Sequence, residues 1–493
     1  MNRLKNIFLL LGIVILQIGF SQNVPITLSL NDAVEMAKQK GLQAQINTNI
    51  FYAGQYQFKS QSVNRLPQFS INGNLPGINS AYNSIVQPDG SIKFLQQNQA
   101  YSSATLNLNQ QITSTGGSLF ISSAINRFDL LNNNSLTSNY TNFQTAPLLM
   151  GISQPLLRFN QFKFDWRIAQ LRNLQNTRTY AESMEDLSLQ ITSKFYEVVM
   201  ARADLQQAEF NIAVNDTLMR VATGRYNLGK IGEDDLLQTE LRLMNAQNSY
   251  DQSKLNFTTS ENQLKIMLGV DKNSPINLVT EISLPRFDPN VDKAMSEAKK
   301  NRSEVLSIQI DQQQTQAMLK KASLNRLPNA ELIASYGLNQ AAPVLSDAYK
   351  SPLDQTRATV GINIPLMNWG KNRFDYRTAK FQMDAKQAQL DLLKLNLEQD
   401  VINQIGQYLQ LRTRLTISAK ADTIAQKRYT VAKNRYFIGK IDITNLNIAQ
   451  TEKDQARSNY YSTMRDFWLA YYRLRRLTLY DFERNEALFK NMN

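Results

Sequence analysis

Residues 152–169 read ISQPLLRFNQFKFDWRIA, and residues 362–379 read INIPLMNWGKNRFDYRTA. Pro155 matches Pro365, Phe164 matches Phe374, Asp165 matches Asp375 and Arg167 matches Arg377, each pair 210 positions apart. The same spacing carries RYNLGKI at 225–231 onto RYFIGKI at 435–441, Leu236 onto Leu446, Ala246 onto Ala456 and Tyr250 onto Tyr460. Upstream, NRLP stands at 64–67 and again at 325–328, 261 positions apart, and that spacing also carries Ala33 onto Ala294, Ala37 onto Ala298 and Lys38 onto Lys299. Two fixed spacings in chain order mean an internal duplication. Their difference, 51 residues, places one insertion in the first copy, between Pro67 and Pro155.

Each copy has the same order of elements. A helix of moderate length comes first, near 31–65 and 291–326. A β segment follows NRLP, and a second one leads into the Pro-Leu step. A very long helix follows, near 165–224 and 375–434. A glycine turn and a return helix, near 234–268 and 444–478, close the unit. Leu187, Ile191, Phe195, Val198, Ala201 and Leu205 recur every three or four residues, and Leu397, Val401, Ile405, Tyr408, Leu411 and Leu415 keep the same register. The stripe is narrow, closer to a coiled-coil seam than to the face of a globular helix. A helix of about 60 residues extends roughly 90 Å. Such a rod buries its stripe only against neighbours, from its own chain or from others.

The β segments alternate. Ala358, Val360, Ile362 and Ile364 are interleaved with Thr359, Gly361 and Asn363, and Leu148, Met150 and Ile152 are their repeat partners. Leu332, Ala334, Tyr336 and Leu338 follow the second NRLP; Phe69, Ile71 and Leu75 follow the first. One apolar and one polar face suit a membrane barrel, and alternation alone suits a half-buried soluble sheet equally well. The insertion adds Ala104, Leu106, Leu108 and Ile112, then Leu119, Ile121 and Ile125 after Gly116-Gly117, which reads as a further hairpin or a longer strand pair. Stretches 76–100 and 128–146, rich in Asn, Ser and Gln, read as exposed loops.

Arg3 and Lys5 precede an apolar stretch from 7 to 18, with Gly19 and Ser21 after it, the pattern of a secretory signal peptide cut after Ser21. No Cys stands at the expected mature start, so no lipid anchor is expected. The chain has no Cys and no His, which removes thiol chemistry, Ser-His-Asp triads and His/Cys metal sites. Phosphate-binding glycine loops are also missing. The net charge of +13 is spread along the chain, without the clustered stripe of a nucleic-acid surface. The Met residues are scattered and form no metal relay. Catalytic, cofactor-binding and metal-ligating residues are therefore expected to be absent, and with them any enzyme activity. After the signal no apolar run is long enough for a spanning helix, so a membrane location requires a closed β-barrel.

A signal peptide and a duplicated helix–strand–strand–long helix–turn–helix unit with RYxxGK at the turn resemble the TolC-like outer-membrane efflux protein family. The resemblance covers nearly all of the mature chain. It implies a mainly α fold with a membrane β-barrel: a homotrimer in which each protomer gives four strands to a 12-stranded barrel on a long α-helical coiled-coil tunnel. Here the insertion gives six candidate strands, so either two of them form a hairpin outside the wall or loop is misread as strand. The resemblance further implies a passive duct of a tripartite efflux or type I secretion system, placed in the outer membrane and reaching into the periplasm. Its partners would be a periplasmic adaptor, an inner-membrane pump or ABC exporter, and outer-membrane lipid, with no nucleic acid. The division expected is a signal peptide at 1–21, a first repeat at 22–283 with its insertion at 68–154, a second repeat at 284–480 and a tail at 481–493.

The family's periplasmic tip, where the tunnel closes and the adaptor docks, maps onto the two turns. The first supplies Arg225, Tyr226, Gly229, Asp235 and Leu236. The second supplies Arg435, Tyr436, Gly439, Asp442, Asn445 and Leu446. Asn445 stands where the family pattern has Asp, which argues against a strong acidic ring. Helix capping alone also accounts for these residue types: glycine stops, Arg at the negative helix end, and Glu233, Asp234 and Asp235 at the positive start. Tyr101, Phe120, Phe128 and Trp369 fit membrane-interface positions or ordinary packing. The rival to a channel is an exported structural coiled-coil protein, a stalk or adhesin, which shares the long helices but has no need of strand pairs at matched positions.

Overall fold

A computed structural model describes residues 26–489 apart from 132–139, 281–283, 286, 439 and 442. The expected signal peptide lies outside the described residues. The elements run β1 (Ile26–Leu28), α1 (Leu30–Lys40), α2 (Leu42–Val63), β2 (Gln68–Val86), β3 (Ile92–Ile112), β4 (Gly117–Leu130), β5 (Tyr140–Pro155), α3 (Gln161–Asn227) and α4 (Glu233–Leu268). The second half runs β6 (Ile276–Leu278), α5 (Val291–Asn301), α6 (Ser303–Leu324), β7 (Asn329–Ala342), β8 (Leu353–Asn363), α7 (Lys371–Phe437), α8 (Ile443–Thr478), β9 (Tyr480–Asp481) and β10 (Glu486–Ala487). The duplication is visible in element lengths. The short helices α1 and α5 have 11 residues each, and α2 and α6 have 22 each. The long helices α3 and α7 have 67 each, and the return helices α4 and α8 have 36 each.

Where one helix is expected near 31–65 and one near 291–326, the chain breaks at equivalent points. Gly41 (φ −65°, ψ 141°) ends α1 and Arg302 (φ −67°, ψ 134°) ends α5, both in extended backbone. Arg302 takes that conformation with a side chain, so backbone freedom is not what calls for glycine at 41. Close approach is: a Cβ on Gly41 would lie 2.7 Å from the Met267 carbonyl oxygen. Periodicity misses such a break because the apolar spacing resumes after one residue.

Two compact units share the chain, one of residues up to 51, 178–302 and 396 onward, the other of residues 52–177 and 303–395. The first is helical. Its core gathers Leu187, Ile191, Phe195, Tyr196 and Val198 of α3 with Tyr408, Leu411 and Leu415 of α7 and Phe467, Trp468, Tyr471 and Tyr472 of α8. Ala33, Ala37, Ala294 and Ala298, register marks of the duplication, are fully buried on α1 and α5, where a small side chain permits close helix approach. The stripe on α7 is narrow, as expected. On α3 it is wider, because Ser188, Thr192, Tyr196 and Val199 are buried as well. The two hydroxyls are satisfied within the helix, Ser188 donating to the Met184 carbonyl at 2.9 Å and Thr192 to the Ser188 carbonyl at 2.7 Å.

One charge cluster is embedded in this core. Glu185 on α3 is 3% exposed and accepts from Lys38 Nζ at 3.0 Å and from Arg475 Nε at 3.0 Å. Arg475 Nη1 also donates to Asp481 Oδ2 at 2.7 Å and to the Tyr471 hydroxyl at 3.1 Å. Burial pushes the Glu185 carboxyl up, but the Arg475 guanidinium and the Lys38 ammonium outweigh it and hold it below the usual carboxylate range. In the second copy Lys299 meets Glu398 at 2.5 Å, one helical turn beyond the position equivalent to Glu185.

The second unit holds a six-stranded antiparallel sheet in the order β2-β3-β4-β5-β7-β8. Residues 76–100, expected as loop, instead form the far halves of β2 and β3, paired from Gly77↔Tyr101 to Val86↔Ile92 around a short turn. Polar side chains such as Ser80 and Asn98, bonded at 2.5 Å, interrupt the apolar positions Ile78, Tyr82, Phe94 and Ile92 on one face there. Of stretch 128–146, β4 takes the first residues and β5 the last, and 132–139 lie outside the described residues. Both NRLP turns end a helix in front of proline, and their arginines lie over the aromatic ring of the matched FDW and FDY: Arg65 over Trp166 at 4.1 Å and Arg326 over Tyr376 at 5.1 Å.

Glu185 carries the first prediction. Its depressed titration stabilises the fold above the unfolded carboxylate range, and that contribution is lost as pH falls through the folded value. Replacing Glu185 by Gln leaves Arg475 without its main buried counter-charge, at a cost of about 3–5 kcal/mol. The melting temperature of Glu185→Gln should fall at pH 7, and its gap to the parent should narrow below about pH 4.5. A gap that is constant with pH contradicts this account.

Candidate functional site

The first turn joins α3 to α4. Lys230 N–H donates to the Arg225 carbonyl at 2.9 Å and Gly229 N–H to the Tyr226 carbonyl at 2.8 Å, the paired bonds of a Schellman stop. Gly229 sits at φ +67°, the left-handed conformation that this stop requires. Gly232 precedes α4 without a side-chain cap, and Glu233, Asp234 and Asp235 occupy the first turn, where carboxylates favour the positive end of the helix. Arg225 and Asp235 are exposed, Tyr226 is 40% exposed and Leu236 is half-buried.

The second turn repeats the long bond, Lys440 N–H to the Arg435 carbonyl at 2.8 Å. Arg435 is exposed in the last turn of α7, and the backbone of Tyr436 is helical. Gly439 and Asp442 lie outside the described residues. Asn445 is exposed and Leu446 half-buried on α8, whose first turn has no acidic residue. Arg225, Tyr226 and Gly229 are thus drawn together by one cap, and Arg435 stands in the same place in the other. Away from the tips, Gln450 of α8 donates to Asn211 of α3 at 2.8 Å and links the two helical hairpins.

The sheet presents the second feature. Its register aligns Phe69↔Leu108, Leu108↔Ile121, Ile121↔Met150 and Met150↔Tyr336, so one row of apolar or aromatic side chains crosses β2, β3, β4, β5 and β7. A neighbouring row runs Leu119↔Ile152, Ile152↔Ala334 and Ala334↔Ala358 and reaches β8. These side chains share one face because the strand period is two. The opposite face carries Ser70, Asn107, Ser122, Gly151 and Ser335, with Phe120 lying over Gly151. Phe69, Ile71, Met150, Val360 and Ile362 are between 42% and 76% exposed in the protomer. A contiguous apolar patch of this kind marks a membrane or partner surface. Among the described residues no helix is long and apolar enough to cross a membrane.

Of the aromatics singled out in the sequence, Trp369 is 85% exposed just ahead of α7. Tyr101 donates to Asn126 Oδ1 at 2.9 Å, and Phe120 and Phe128 are half-buried. Sequence reasoning missed Asn160. Its Oδ1 accepts from Lys163 N–H at 3.2 Å at the start of α3, while its Nδ2 donates to the Thr113 and Ser114 carbonyls at 3.0 and 3.1 Å. An Asn two residues ahead of a long apolar-periodic run was the available signal.

The chain thus combines an amphipathic antiparallel sheet with two copies of a long helical hairpin. The chain is similar to the CmeC outer membrane channel of Campylobacter jejuni, at a TM-score of 0.65 and 15% identity over 94% of this chain and 88% of that one. It is similar to the outer membrane protein VceC of Vibrio cholerae, at 0.60 and 13% over 91% and 95%. It is also similar to the open state of the MtrE outer membrane channel of Neisseria gonorrhoeae, at 0.56 and 14% over 91% and 88%. No curated protein matches the chain. Residues 294–478 match the family described as outer membrane efflux protein. The resemblance carried by the repeats is therefore borne out, and with it the mainly α fold with a β-barrel part built on a duplicated unit. The sheet has six strands where the resemblance implies four.

The Schellman stop gives a local prediction. A Cβ on Gly229 meets no atom within 4 Å, so the cost of Gly229→Ala is conformational, about 1 kcal/mol. Amide hydrogen exchange at residues 225–232 should speed up about fivefold, by the same ~1 kcal/mol. Gly232→Ala, at φ −78°, should leave it unchanged.

Proposed function

We propose that the chain is the outer-membrane channel subunit of a tripartite efflux or type I secretion system. The observation that carries this reading is the apolar face running across the sheet, in a chain whose helical hairpins end in exposed, capped turns. Lipid covers the apolar face and water the polar one. A soluble stalk or adhesin has no use for that face, which is why the channel is preferred. Three copies form the duct. The signal peptide of residues 1–21 directs export, the mature chain starts near Gln22, and the division into repeats at 22–283 and 284–480 with a tail at 481–493 follows the duplication.

No chemical step belongs to this mechanism. An inner-membrane pump or ABC exporter and a periplasmic adaptor deliver cargo to the tip formed by Arg225, Tyr226, Gly229, Asp235 and Leu236 with Arg435, Tyr436, Gly439, Asp442, Asn445 and Leu446. Opening is a shift between two packed arrangements, favoured by adaptor contact. Arg225 and Arg435 stand at the negative ends of their helices and, repeated around an axis, present rings of positive charge. Membrane fractionation tests the assignment: the protein should stay in the outer membrane until detergent is added, and release by salt or alkaline washing overturns it. The double replacement Arg435→Ala and Tyr436→Ala should raise conductance in planar bilayers, and an unchanged closed level removes these residues from gating.

A further inference from the structure

We infer that the hairpin inserted in the first copy, β3 with β4, belongs to the membrane wall itself, so that three protomers close a barrel of six strands each, 18 in all rather than 12. The inference rests on the channel reading above and concerns the width of that channel. A hairpin outside the wall would leave the strands equivalent to β7 and β8, namely β2 and β5, paired to each other. They are not so paired: β2 pairs with β3, β3 with β4 and β4 with β5, each along its length.

The side chains agree with the ladder. Leu108 of β3 and Ile121 of β4 fall in one row with Phe69 of β2 and Met150 of β5, and Leu106 and Leu119 lie on the same face. A hairpin folded against the inside or the outside of a barrel has no reason to continue that face in register, since a slip of one residue would invert it. The turn at the near end is also built in. Asn160 holds the Thr113 and Ser114 carbonyls while capping α3, and Thr115 Oγ1 donates to Gln154 Oε1 of β5 at 2.7 Å. Gln110 of β3 donates to the Arg65 carbonyl at 2.7 Å, in the NRLP turn. The inserted pair therefore starts at the level at which β2 and β5 join the helices. Barrel diameter grows roughly linearly with strand number, so the wall is about half again as wide as a 12-stranded one.

The chain has no cysteine, so single Cys probes are free of background. The full-length protein is reconstituted in liposomes containing doxyl-labelled phospholipid, with bimane on Leu106→Cys, Leu108→Cys or Ile121→Cys. Fluorescence should be lost to the same extent as at the controls Met150→Cys on β5 and Ile362→Cys on β8. Asn107→Cys and Ser122→Cys should escape quenching and react with a membrane-impermeant maleimide. Quenching at the controls but not at the hairpin, or on both faces of the hairpin, overturns the 18-stranded wall and leaves the channel standing. Absence of quenching at the controls too removes the channel reading and this inference together.

Discussion

The constraint on which this protein depends is an open sheet with one apolar face. Each edge strand, β2 on one side and β8 on the other, has a single partner in the protomer. In hydrocarbon every backbone N–H and C=O must be bonded, because each unsatisfied group costs several kcal/mol and no water is present to take it. An apolar face alone could be covered by lipid or by a partner. In the proposed channel, the apolar face and the two edges are satisfied together when β8 of one copy pairs with β2 of the next until the ring closes. In the channel proposed above, assembly and membrane insertion are then one event.

The helices answer a different constraint, the burial of a stripe along a rod of 67 residues, about 100 Å at 1.5 Å per residue. The two copies meet it unequally. Around α3, the short helix α1 and the return helices α4 and α8 pack against Leu187, Ile191, Phe195, Tyr196, Val198 and Val199, and Glu185 is closed in with Lys38, Arg475 and Asp481. On α7 the buried residues from Leu397 to Leu415 keep to a single stripe, and Lys299 meets a half-exposed Glu398. A buried pair is costly to break and exposed ones are worth little, so the rigid part of the helical unit lies around α3. The tip turns, capped by backbone bonds and exposed, hold no such core and are the part that can move without disturbing it.

The duplication and the long helices were legible because both are periodic. Offsets of 210 and 261 register identical residues, and a stripe recurring over about five turns leaves no strand reading. The break at Gly41 and Arg302 was not legible, since a single extended residue does not interrupt the apolar spacing. Stretch 76–100 reads as loop in the sequence because polar residues such as Ser80, Gln96 and Asn98 interrupt the apolar positions Ile78, Tyr82, Phe94 and Ile92, while the backbone ladder still holds the hairpin. Glu185 was silent as well: its partners Lys38 and Arg475 are 147 and 290 positions away, and no local pattern reports a pair of that separation. Of the tip, the glycine stop was readable from Tyr226-x-x-Gly229, while the arrangement of the two turns around an axis belongs to the assembly and not to one chain.

The insertion shows how one module of a duplicated chain can grow alone. Antiparallel strands alternate in direction, so adding an even number between β2 and β5 returns the chain to the side from which it left. With β3 and β4 inserted, β5 still runs toward Asn160 and α3 still begins where α7 begins in the second copy, one residue after a polar or glycine cap. A single added strand would send α3 off the opposite rim, away from α7. The added pair also preserves the face, because the register at Leu108↔Ile121 keeps apolar opposite apolar. In the proposed wall, strand direction and side-chain parity together permit a barrel to widen by hairpins while the number of long helices stays fixed. The first copy, with four strands on the same two long helices that carry two strands in the second, is the result of that rule.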